Sequence, residues 1–232
     1  GAVLVAAPQG SGKGVGIVIP NLLDYPGSVV CTDPKGENAA ITGAYRATLG
    51  PVYRLNAIEP GGSHRFNPMD MVRLGTLTEF DDAYALAELL VVPESTDPHW
   101  DTSARQVLAG CIMYVLRTRP PELRTLSTLA ELLNSEGNTL RDTFMVMATS
   151  PDPTIAQQGR TALRGLDEDN EFKSVMNNTS KQLKMWAADR IAGQLTAASD
   201  FDMMALHDER PMTVYVMVPE EFLRVYGPFL RV

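Results

Sequence analysis

An apolar run at residues 2–6 (AVLVA) breaks into Ala7-Pro8-Gln9-Gly10-Ser11-Gly12-Lys13-Gly14 and resumes as Val15-Gly16-Ile17-Val18-Ile19. This junction limits the possible folds more than any other stretch. A short apolar run without polar alternation reads as a strand of a parallel sheet, buried on both faces. A parallel strand must return through a crossover, usually a helix, and Val15 onward reads as that helix. The segment between them approximates G-x-x-x-x-G-K-S/T, a turn whose backbone N–H groups and lysine cradle phosphate at a helix N-terminus. Two positions depart from it. Ala7 stands for the first glycine, where only a compact residue is needed. Gly14 stands for the hydroxyl residue that normally ligates Mg²⁺. An ordinary glycine-rich strand–helix turn is the alternative reading.

The next segments keep the α/β rhythm. Pro20 falls inside the first helix and should kink it or end its regular part. Tyr25-Pro26-Gly27 marks a turn. Residues 28–32 (SVVCT) form a second short strand, ending at Asp33-Pro34-Lys35-Gly36-Glu37. A carboxylate at a strand's C-terminal end lies where α/β sheets bind ligands, so Asp33 is a candidate to hold a Mg²⁺-bound water. Its other reading is a helix N-cap with Pro34 at the first helical position; the two roles are compatible. A helix from about Glu37 to Ala47 and a strand at 52–55 complete β-α-β-α-β, the signature of a doubly wound parallel sheet. The loop at 59–68 carries His64 and Arg65, either phosphate contacts or solvated charges.

From about Thr76 the periodicity changes to helical for some 130 residues. Thr76-x-x-Glu79 and Thr128-x-x-Glu131 read as capping boxes, and Asp97-Pro98, Asn138, Asp152-Pro153 and the Asp167-Glu168-Asp169 run as further helix starts. Asp200 is a candidate for one more. Phe172, Val175, Met176, Thr179, Leu183 and Trp186 recur at helical spacing, as a core face or an adaptable methionine-rich groove. Trp100 either stacks on a base or packs as a boundary aromatic. No strand is expected between 76 and 209. Charge changes with periodicity: the net charge is −8 overall, with +1 in residues 1–75, −9 in 76–210 and 0 in 211–232. Acidity confined to the middle points to an inserted domain and argues against broad adhesion to nucleic acid. The β pattern returns at 212–218 (MTVYVMV), a central-strand run, before Pro219-Glu220-Glu221 opens a helix. The expected domains are therefore 1–75, 76–209 all-α, and 210–232, with a four-stranded sheet left unfinished. The abrupt ends predict a fragment of a larger protein.

Cys31 and Cys111 lie in apolar surroundings and read as packing residues, and His64, His99 and His207 lack zinc-ligand spacing. The longest uncharged apolar run, residues 107–116, suits a buried helix and falls short of the roughly 20 residues of a span.

Several motifs together carry a resemblance. Gly10-Ser11-Gly12-Lys13-Gly14-Val15-Gly16 with Val18-Ile19-Pro20-Asn21-Leu22-Leu23 looks like the P-loop and first helix of the type IV coupling proteins, the conjugation and secretion ATPases of the TraG/VirD group. Asp33-Pro34-Lys35-Gly36-Glu37-Asn38, Ser63-His64-Arg65-Phe66-Asn67-Pro68, Asp97-Pro98-His99-Trp100-Asp101 and Ser199-Asp200-Phe201 fit the same group in order. The resemblance implies a RecA-like P-loop domain with a parallel sheet, incomplete in this chain, interrupted by an all-α domain. It implies ATP and Mg²⁺ as ligands. Gly10, Ser11, Gly12, Lys13, Gly14 and Val15 would hold the phosphates, Lys13 and Asp33 would act in catalysis, and Asp33 would serve the metal. A glycine at position 14 is common in that group. The resemblance further implies a homo-hexameric motor at the cytoplasmic face of the bacterial inner membrane. Its partners would be single- or double-stranded DNA, relaxase or effector proteins, and secretion-channel ATPases. The group's Walker B carboxylates would lie beyond Val232, and its trans arginine would lie there or is unassigned, so weak nucleotide binding and little or no hydrolysis are expected of this segment alone. Two rival readings are an FtsK/HerA-type DNA pump and a non-hydrolysing docking module whose helical domain binds partner proteins.

Overall fold

The computed structural model describes residues 4–6, 8, 10–57, 59–91, 98–134 and 140–231, with the side chains at 98–100, 222–225 and 228 outside the description. Three strands form one parallel sheet: β1 (Val29–Thr32), β2 (Val52–Asn56) and β3 (Thr213–Met217). Their order is β1-β3-β2, with Thr213 in register with both Val29 and Val52. A central parallel strand has both faces covered, and Thr213, Val214, Tyr215 and Met217 are all buried. This is the reason the run at 212–218 is apolar without alternation.

The parallel α/β reading holds, but the expected first strand does not form among the described residues. Leu4 is 94% exposed and residues 4–6 join no ladder. A strand is held by its neighbours' hydrogen bonds, and neither β1, β2 nor β3 supplies them there.

The chain divides into two compact units: 1–64 with 201–223, and 65–200 with 224–232. The second therefore starts before the expected Thr76 and takes in residues at the C-terminal end. In the first unit, α1 (Ile19–Asp24) and α2 (Glu37–Leu49) accompany the sheet. Its core is small: Leu22, Cys31, Ala39, Tyr215 and Met217. Ala39, Thr42, Gly43 and Arg46 form the buried face of α2, one turn apart along it. The Thr42 hydroxyl meets the Tyr215 hydroxyl at 2.6 Å.

The second unit is helical, and among the described residues between 76 and 209 there is no strand. It contains α3 (Glu79–Leu90), α4 (Pro98–Thr118), α5 (Leu126–Asn134), α6 (Leu140–Ala148), α7 (Pro153–Glu168), α8 (Asn170–Leu183), α9 (Ile191–Leu195) and most of α10 (Leu223–Arg231). The apolar run of α4 runs through its centre: Val107, Leu108, Ala109, Cys111, Ile112 and Val115 are at most 1% exposed. Phe172, Met176, Leu183 and Trp186 join the same core, so the helical spacing marks packing and not a groove. Among the described residues no helix is long and apolar enough to cross a membrane.

The caps follow local chemistry, with shifts. Asp152 accepts from the N–H groups of Thr154 and Ile155, with Pro153 at the first position of α7, and Asp169 caps α8 through Glu171 and Phe172. The box at Thr128 is displaced: the Thr125 hydroxyl accepts from Thr128 N–H and α5 starts at Leu126. Glu79 does not return to Thr76; its carboxylate binds Arg117 and the Gly75 N–H instead. A buried carboxylate gains more from a guanidinium than from one amide. Asp200 starts no helix and pairs with Arg65. Asp97, Asn138 and the Trp100 side chain lie outside the described residues.

Candidate nucleotide-binding site

The turn at residues 10–18 combines left-handed glycines with the start of a helix. Gly10 and Gly12 have φ of 78° and 82°, a region that other L-residues enter only with strain. Alternating glycines of this kind turn successive N–H groups toward one side, as in anion-binding nests. Ser11 N–H donates to Pro8 O at 3.3 Å, and Gly16 N–H donates to Gly12 O at 2.7 Å, opening the helix. Its first turn, Gly14–Val18, is wide: the Ile19 N–H reaches back to Gly14 O. Pro20 lies just beyond, in the first turn of α1. Its ring has no N–H and crowds the carbonyl four residues earlier, so the irregularity expected of Pro20 falls on its N-terminal side.

Lys13 folds over the turn, its Nζ donating to Pro8 O at 2.8 Å. A Cβ added at Gly10, Gly12, Gly14 or Gly16 would meet no atom within 4 Å. The loop is thus open to solvent, with one ammonium laid across it. These residues fit a phosphate chain: a phosphate oxygen is a stronger acceptor for Lys13 than a neutral carbonyl.

Asp33 stands at the C-terminal end of β1 and is 2% exposed. Its N–H donates to Val216 O at 2.8 Å, extending the β1–β3 ladder. Its Oδ2 accepts from Ala39 N–H at 2.8 Å. The helix cap expected of Asp33 is therefore real but shifted. Gly36, with φ of 71°, occupies the N-cap position and α2 begins at Glu37. Pro34 and Lys35 form the connecting turn, and the carboxylate reaches over it to an otherwise orphan amide. The other oxygen, Oδ1, has no hydrogen-bond partner among the described residues. No cluster of three or more His, Cys, Asp or Glu residues able to hold a metal occurs among the described residues. Asp33 is thus a single carboxylate, not a preformed metal cluster. Burial and then the negative charge of Asp33 push the Cys31 thiol up, with the Asn38 bond opposing them. This suits a packing residue, not a nucleophile.

At the C-terminal ends of β2 and β3 a cavity of about 310 Å³ is lined by Lys35, Gly36, Arg54, Asn56, Glu59 and Met217. His64 and Arg65 take structural roles. His64 Nδ1 accepts from Arg54 N–H at 3.1 Å, and Arg65 makes two guanidinium bonds to Asp200 at 3.3 and 2.8 Å.

Arg46 is the group that motif reading missed. It is 1% exposed, and its guanidinium donates to Thr213 Oγ1 and to the carbonyls of Leu22, Tyr25 and Gly27. A signal was present. An arginine stands at i+7 of the small-residue face Ala39, Thr42, Gly43, where a cation must be buried and therefore partnered.

The family described as Type IV secretory system Conjugative DNA transfer matches residues 2–232. Conjugal transfer protein TraG of Escherichia coli is 30% identical over 240 residues, covering 99% of this chain and 38% of that protein. Protein VirD4 of Agrobacterium fabrum (strain C58) is 29% identical over 235 residues, covering 98% and 34%. The chain thus spans well under half the length of these relatives. Among solved structures, the plasmid coupling protein TrwB in complex with the GTP analogue GDPNP superposes with a TM-score of 0.68 at 16% identity, covering 97% of this chain and 48% of that one. TrwB in complex with ADP and Mg²⁺ gives 0.67 at 16% identity, covering 96% and 48%. The fold is TrwB-like.

Proposed function

This chain belongs to the Type IV secretory system Conjugative DNA transfer family, and on that premise we propose that it is the ATP-binding part of a coupling motor. Such a motor uses ATP hydrolysis to bring DNA–relaxase complexes or effector proteins to a secretion channel. The observation that carries the reading is the open loop with positive-φ Gly10 and Gly12 and with Lys13 laid across it. In this reading Gly10, Ser11, Gly12, Lys13, Gly14 and Val15 would cradle the phosphates through their backbone amides, Ser11 N–H giving up its bond to Pro8 O. Lys13 would leave Pro8 O to bind the phosphates with its ammonium. Mg²⁺, when bound, would neutralise charge at those phosphates, and Asp33 would be the residue to hold its water. TrwB, of the same fold, has been seen with GDPNP and with ADP and Mg²⁺, which supports nucleotide and Mg²⁺ as the ligands here.

The TraG and VirD4 likeness runs through the helical unit as well as the loop. This favours a coupling protein over an FtsK/HerA-type pump, and the loop geometry favours nucleotide binding over a passive docking scaffold. A homo-hexamer at the cytoplasmic face of the inner membrane, engaging relaxase, DNA and channel ATPases, completes the proposal. The test is titration of fluorescent mant-ADP with Mg²⁺ into the chain and into Lys13→Ala. Saturable binding that the variant weakens about tenfold or more, the worth of a charge-assisted hydrogen bond, is the expected result. Equal binding by both, or none by the native chain, would overturn it.

A further inference from the structure

The helical rod that carries the P-loop is thinly packed. No residue of Gly14–Val18 is buried, and Leu22 is the only buried residue of α1. Leu22, with Ile19, Pro20 and Leu23 only half-buried beside it, is a weak hold on the position and rotation of a rod about its axis. Yet cradling a phosphate requires the loop amides at the rod's N-terminal end to be held closely in place.

Arg46 supplies the missing constraint. Its Nε donates to Thr213 Oγ1 at 2.7 Å, at the start of the central strand β3. One Nη donates to Tyr25 O at 2.5 Å and to Leu22 O at 3.4 Å, and the other donates to Gly27 O at 2.5 Å. Tyr25 is the C-cap of α1. The last carbonyls of a helix lack intrahelical partners and carry its negative dipole end, so a cation there satisfies both. Among the described residues no carboxylate pairs with Arg46. Its charge is matched by carbonyl and hydroxyl oxygens alone. A carboxylate would hold the guanidinium to itself; without one, the planar fork is committed to the end of α1 and the turn after it.

We infer that Arg46 is the positioning residue of the P-loop, tying the C-terminal end of α1 to the central strand so that the loop amides stay in register with bound phosphate. This rests on the reading of residues 10–15 as a phosphate cradle. Arg46 touches no phosphate and acts through α1.

Mant-ADP with Mg²⁺ is titrated into the native chain, R46M, R46K and Y215F, with melting temperatures measured alongside. Y215F removes the Thr42 bond from the same core and leaves α1 untouched. R46M is expected to bind about tenfold more weakly, with R46K intermediate because an ammonium replaces one arm of the fork. Y215F should melt earlier yet bind like the native chain. Native affinity in R46M, or an affinity loss in Y215F matching its loss of stability, would overturn the inference. If R46M does not fold, R46K and T213V, which removes only the Nε acceptor, take its place under the same criteria. If the native chain binds no mant-ADP, the nucleotide reading fails. The anchor is then decided by amide hydrogen exchange in R46K: faster exchange confined to residues 14–24 supports it, and unchanged exchange there overturns it.

Discussion

Glu79 is 3% exposed and its two oxygens are fully committed: Oε1 accepts from Arg117 Nε at 2.7 Å, and Oε2 accepts from Arg117 at 2.6 Å and from Gly75 N–H at 2.7 Å. Arg117 also reaches Asp152 at 3.0 Å, so one guanidinium joins the starts of α3 and α7 to α4. Burial pushes the Glu79 carboxyl up, but the Arg117 hydrogen bonds, the Gly75 N–H and the Arg117 charge outweigh it and hold the carboxyl below its usual range. The folded protein therefore stays ionised at pH values where the unfolded chain binds a proton. The stabilisation is fully present above the ordinary glutamate value of about 4.3 and is lost as pH falls through the depressed value. Melting temperature measured against pH should be steady above that point and fall below it, and Glu79→Gln should flatten that part of the fall. The substitution should cost about 2–3 kcal/mol, less than the ~3–5 kcal/mol of a fully buried pair, because Arg117 is half in solvent. An unchanged acid limb in Glu79→Gln would show that other carboxylates govern it.

Helix contacts in the second unit are set by small residues where backbones meet. On α7, a Cβ at Gly159 would lie 2.4 Å from Ala148 N and 2.8 Å from Met147 C, both backbone atoms at the end of α6. Neither can swing aside as a side chain would, so Gly159→Ala must push α6 and α7 apart. The expected loss is about 1–3 kcal/mol, read from urea unfolding. Gly62→Ala is the comparison: a Cβ there meets nothing within 4 Å, and stability should be almost unchanged. If Gly159→Ala proved as neutral as Gly62→Ala, the close approach of α6 and α7 would be wrong.

At the scale of the molecule, the second unit is closed where its chain enters and leaves. Arg65 N–H donates to Asp200 Oδ2 at 2.7 Å, Asp200 N–H donates to Arg65 O at 3.0 Å, and the two side chains pair. Asn67 N–H donates to the Ser199 hydroxyl at 3.0 Å, which donates to Asp70 at 2.6 Å. A unit sealed at its neck with its own apolar core should fold alone. Residues 65–200 produced by themselves should give a helical circular dichroism spectrum and one cooperative melt. The melt should lie below that of the same unit in the whole chain, because Tyr226 and Phe229 also pack on this core. A non-cooperative melt would show that the core depends on the rest of the chain.

Local chemistry was legible in the sequence. The glycine-rich turn, the parallel sheet, the all-helical segment, the aspartate caps of α7 and α8 and the buried cysteines each depend on neighbours a few residues away or on a short periodic pattern. Motif order carried the resemblance to the coupling proteins for the same reason. Tertiary structure alone decided the partners of charges far apart in sequence. Glu79 left its expected capping box for Arg117, Arg65 and Asp200 met across 135 residues, and Arg46 was enclosed by carbonyls from a different helix and turn. Burial makes an unpartnered charge costly, and which groups can satisfy it depends on where the folded chain brings distant backbone and side chains together. The glycine-rich turn was therefore legible from its own residues, while the partners of Arg46 became visible only in the folded chain.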